Sequence, residues 1–148
     1  MKKLLSFIFI TIFLCSVKLY SQTDSLRFRA YLFNKEYNVY MQINFCDNNI
    51  FIPGLDILGQ IPGYLGKEGS SFVWPVIDVS INGNKATLKM VNDMGSEDLE
   101  ATLTCNNDSV YTLRQERGST LKVAGKGKWI RLPKELMFKR KDPIEARK

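Results

Sequence analysis

The acidic side chains offer the first candidate chemistry. Glu97, Asp98 and Glu100 sit almost side by side, and Asp56 and Asp78 stand elsewhere in the chain. Two carboxylates flanking a glycosidic bond can hydrolyse it, one as acid and the other as base or nucleophile. On an extended segment neighbours point to opposite faces, so Glu97 and Asp98 diverge while Asp98 and Glu100 share a face. A solvated outer wall explains that pair more simply than a hydrolase does. Asp47-Asn48-Asn49 and Asn106-Asn107-Asp108 supply oxygen atoms for a cation. Neither triplet has the spacing or the following bidentate glutamate of a calcium loop. Turn geometry accounts for them better, because Asn and Asp bond their own backbone and tolerate left-handed angles. The chain has no histidine. That removes the commonest general base and the usual zinc and haem ligand. It also makes Ser-His-Asp and Cys-His arrangements impossible within the chain. No catalytic residue, metal or cofactor is expected.

The apolar side chains suggest binding instead. Leu58, Tyr64, Phe72, Trp74, Tyr111 and Trp129 are the expected lining of an apolar ligand site. The competing reading is a packed core, which large aromatic side chains also build.

Cys46 and Cys105 are the only thiols beyond residue 21. An even pair in an oxidising compartment suggests a disulfide. The alternation argues the other way. Tyr37, Val39, Met41, Ile43 and Phe45 share one face, which puts Cys46 on the opposite one. Cys105 falls in register with Leu99, Ala101 and Leu103, on the apolar face. If both registers hold, the sulfurs lie on opposite sides of a wall and cannot meet. Both residues adjoin turns, where alternation often fails, so the bridge stays open.

Compartment and charge narrow the function classes. Met1-Lys2-Lys3 is followed by an almost wholly apolar run, Leu4 to Val17, broken only by Ser6, Thr11 and Ser16. That run is shorter than the roughly 20 residues a membrane-spanning helix needs. It reads as a secretory signal cut after Ser21, giving a periplasmic or secreted protein with no stable membrane insertion after cleavage. Cys15 raises a lipid anchor, but Leu14 is larger than the small residue such signals place before the cysteine. The formal charge of +6 invites a nucleic-acid reading. Residues 22–133 hold twelve basic and twelve acidic side chains, and the excess lies in the signal and the tail. Nucleic-acid binding needs clustered cations, so no nucleic-acid partner is expected.

The elements that must position these residues are strands. Period-2 alternation runs through most of residues 26–140. Strands are expected at about 26–33, 37–46, 50–52, 72–81, 85–91, 99–105, 110–115, 120–124, 128–132 and 135–140. Pro75 suggests an edge or a bulge. Asn82-Gly83-Asn84 is the clearest hairpin turn. Residues 54–71 are rich in glycine yet greasy, and are expected to form a lid over a barrel mouth or a short strand near Gly63–Leu65. Short turns make successive strands antiparallel neighbours. A meander this long closes or folds into two sheets. The expected fold is therefore all-β, a single antiparallel up-and-down barrel of about 8–10 short strands, with a two-sheet sandwich as the alternative. The expected division is a signal over 1–21, a barrel over 22–140 and a charged tail over 141–148.

The short strands, the tight turns, Gly125-Lys126-Gly127-Lys128-Trp129 and the closing Phe138-Lys139-Arg140 together resemble the lipocalin-like and avidin-like barrels of exported proteins of Gram-negative bacteria. A Gly-x-Trp near the mature start, usual in lipocalins, is missing. The resemblance implies a fold, and such folds host many unrelated roles. The expected function is an exported non-catalytic binding protein, holding an apolar small ligand or an exported protein partner, with an inhibitor or immunity role among the options. The alternative is a carboxylate-dependent hydrolase or an accessory domain to one.

Overall fold

A computed structural model describes residues 26–141. The signal segment, Cys15 and the tail after Lys141 lie outside the described residues. Eight strands form one closed antiparallel barrel: β1 (Arg29–Asn34), β2 (Val39–Asn44), β3 (Gly63–Lys67), β4 (Val73–Asn82), β5 (Lys85–Val91), β6 (Asp98–Asn107), β7 (Val110–Gly118) and β10 (Glu135–Lys141). Two further strands, β8 (Lys122–Ala124) and β9 (Trp129–Arg131), pair only with each other. Each barrel strand lies beside its neighbour in the chain, with the β8–β9 hairpin inserted before β10, and β10 closes on β1. This is the up-and-down barrel, and the sandwich alternative falls away.

The alternation explains the wall. Phe28 and Leu32, Met41 and Ile43, Leu88 and Met90, and Leu103, Leu113 and Phe138 all point inward with 0–2% exposure. Their sequence neighbours face out, as the two-residue period requires. Gly83 has φ 62°, which lets a two-residue turn join Asn82 to Lys85. Pro75 lies inside the closed wall, so the edge reading is wrong. A bulge follows it between Val76 and Asp78, and the extra residue, Ile77, is turned out.

The two long connections depart from expectation. Residues 54–71 do not cover a mouth. Gly63–Lys67 is strand β3, as one alternative held. The chain before it runs along the outside of the barrel. Ile52 and Ile61, with Ile50 and Leu55, pack on the outward faces of Tyr40, Tyr64 and Val73. Ile50–Ile52 is not a strand but joins Ile61 through a single bridge. The segment that does close a mouth is 119–134. Its Leu121, Val123 and Leu132 are buried in the main core. The opposite end is closed by Phe28, stacked on Phe45 at 5.7 Å. There the Arg140 guanidinium donates to the carbonyls of Leu26, Arg27 and Arg29.

Candidate functional site

Large side chains pack the interior. Trp74, Tyr111, Phe28 and Phe138 are each 0% exposed and fill the space that a hollow barrel would offer a ligand. An eight-stranded barrel is narrow enough for side chains alone to fill it.

The six residues expected to line a site fall in three places. Phe72, Trp74 and Trp129 meet at the end closed by the hairpin. Phe72 lies edge-on to Trp74 at 6.3 Å and to Trp129 at 4.7 Å. Tyr111 lies at the other end, where its hydroxyl donates to the Arg27 carbonyl and accepts from Arg140. Burial, with Cys105 beside it, pushes Tyr111 up to about 12. Tyr64 faces outward beneath the 45–62 strap, edge-on to Tyr40 at 5.9 Å. Leu58 sits on that strap, partly exposed. These six side chains therefore do not share one pocket.

Cys46 is exposed and Cys105 is buried in the barrel, so no disulfide joins them. The alternation placed both correctly. The Asx triplets behave as turns. Asn44 donates to both Asp47 and Asn49 at 3.1 and 2.8 Å. Asn107 Oδ1 accepts from the Ser109 and Val110 amides. Among the described residues no cluster of three or more acidic or thiol ligands forms.

Of the candidate carboxylates Glu97, Glu100 and Asp78 sit in ion pairs. Glu100 accepts two hydrogen bonds from Arg117, both at 2.7 Å. The guanidinium holds its carboxyl below the usual range, the reverse of what a general acid requires. Asp78 lies 3.8 Å from Lys89.

Glu97 has a structural task. Its carboxylate accepts from Lys122 at 2.9 Å and from Asn92 at 3.2 Å, tying the hairpin to the β5–β6 turn. Trp74 Nε1 donates to the Lys122 carbonyl at 2.8 Å. Gln115 holds the hairpin base, accepting from the Leu121 amide at 2.7 Å and donating to the Pro133 carbonyl at 2.8 Å. The Lys122 ammonium also lies 5.3 Å from the Trp129 ring. So the hairpin is pinned from inside, while Trp129 itself remains 51% exposed.

Charge is the feature that the whole-chain reading missed. Residues 119–134 carry Lys122, Lys126, Lys128, Arg131 and Lys134 and no acid. The neutral sum over 22–133 conceals this, because acids elsewhere cancel it. A count in a sliding window would have found it. Lys126, Lys128 and Arg131 are exposed around Trp129.

Comparison with protein-family models, curated proteins and solved structures gives no match.

Proposed function

We propose that this chain is an exported, non-catalytic binding protein of the Gram-negative envelope or its surroundings, and that it grips a protein partner through the hairpin-closed end of its barrel. The observation that carries this reading is the half-exposed Trp129 on a segment, 119–134, that carries five cations and no acid of its own, one of them, Lys122, being paired with Glu97. Trp and Arg dominate the energetics of protein interfaces, and a Trp on a pinned support loses little entropy on binding. The partner presents an acidic face, since complementary charge steers encounter and fixes register. The filled interior favours this over an apolar ligand held inside the barrel. The Glu100–Arg117 pairing disfavours the carboxylate hydrolase. An inhibitor or immunity role suits a module of this size.

The test is affinity capture from the exported fraction of the producing cell, followed by native mass spectrometry. Wild type is compared with Trp129→Ala and with the double variant Lys126→Glu/Lys128→Glu. The reading expects one acidic protein, captured by wild type, released by moderate salt and lost in both variants. A partner retained by both variants, or a small molecule in place of a protein, sinks it.

A further inference from the structure

The barrel closes at a seam where β10 pairs with β1: among the described residues Tyr31 pairs with Lys141, Leu32 with Arg140 and Phe33 with Lys139. Past Phe33 the two strands part, and the Asn34 side chain takes over, its amide donating to the Met137 carbonyl at 2.8 Å. A groove of ≈ 360 Å³ opens beside this seam. Its floor is apolar, made by Phe33, Val110 and Met137. Among the described residues its charged lining residues are Lys35, Lys139 and Lys141. Met137 is 63% exposed, and its flexible thioether adapts readily to an apolar ligand. The Lys141 ammonium lies 4.0 Å from the Phe33 ring, across the floor.

The geometry points to this seam groove as a binding site for a long-chain carboxylate. An apolar floor takes the alkyl chain, and the lysine rim pairs with the head group. The volume lies at the low end of the range of about 300–1,000 Å³ for small-molecule sites. Three cations on the described rim disfavour a cationic amphiphile. The Met137 carbonyl, which an added peptide strand would use, is already bonded to Asn34. The site is separate from the hairpin surface and does not rest on that reading.

Laurate below its micelle concentration is the probe, with dodecyltrimethylammonium as the charge-reversed control, both followed by isothermal titration. Laurate is expected to bind one to one and the cation not at all. Lys139→Gln/Lys141→Gln removes two charge-assisted partners and weakens laurate at least about tenfold. Met137→Asp abolishes binding by placing a like charge on the floor. Lys139 and Met137 are solvent-exposed and Lys141 partly so, and circular dichroism is expected to report an unchanged fold. Trp129→Ala binds laurate as wild type does. The assignment is overturned if laurate fails to bind, if the lysine double variant or Met137→Asp binds it normally, or if Trp129→Ala loses it. Binding to phosphatidylglycerol vesicles without binding to monomeric laurate overturns it as well.

Discussion

Residues 45–62 and 119–134 both join barrel strands by long, apolar excursions that contain two glycines each. The first lies along the outside wall and the second plugs an open end. The wall is convex and can touch a passing chain from one side only. Accordingly the strap buries Ile52 and Ile61 but leaves Phe51 58%, Ile57 95% and Leu58 39% exposed. The mouth is concave and surrounds what enters it. There Leu121, Val123 and Leu132 fall to 3% exposure or less. Two long connections, each with apolar residues to bury, thus differ in energetic weight because of the shape each one meets.

Mutation of the two connections measures that difference. Leu121→Ala leaves a cavity among core residues and is expected to cost about 3 kcal/mol in urea unfolding. Ile52→Ala acts in the smaller outer cluster and is expected to cost about 2 kcal/mol at most. Equal costs would break the comparison.

The tyrosines sharpen it from another side. Tyr111 in the barrel end is pushed up to about 12, chiefly by burial. Tyr31 on the outer wall reaches about 12 through burial and then Tyr40, and Tyr64 under the strap is raised further. A raised folded value means that the unfolded chain releases its proton first. Stability is therefore intact below pH 10 and falls as pH rises towards 12. Absorbance titration at alkaline pH is expected to show these three ionising late and together with unfolding. Ionisation of Tyr64 at ordinary pH without unfolding would mean that the strap does not shield the wall.

The hairpin latch comes next. Lys122 and Glu97 are each a little over one-quarter exposed, which places the pair between a surface bridge and a buried one. Lys122→Met is expected to cost about 1 kcal/mol, with a double-mutant cycle against Glu97→Gln to isolate the pair. The smallest effect belongs to the strap tip. Ile57→Ser is expected to change stability by no more than about 0.5 kcal/mol, since its side chain is already in solvent. A larger loss would show that the strap packs more tightly than its exposure indicates.

Much of the wall was legible in the sequence. The alternation through Val39, Met41, Ile43 and Phe45 located the inward face of β2, and it separated Cys46 from Cys105. The Gly83 turn was legible because only certain residues accept its backbone angles. The candidate surface was less so. Trp129 was picked out as aromatic lining, but its exposure and its basic setting were not anticipated. The seam groove left no trace, because Phe33, Val110 and Met137 meet across three strands.

The sequence alone determined which side of each strand is greasy, since that depends only on whether neighbouring residues point apart. Tertiary structure decided which long connection entered the barrel mouth and which stayed outside. That choice rests on partners distant in the chain, such as Trp74 and the Lys122 carbonyl, 48 residues apart. No local rhythm encodes such a meeting; it exists only once the wall has curved and closed.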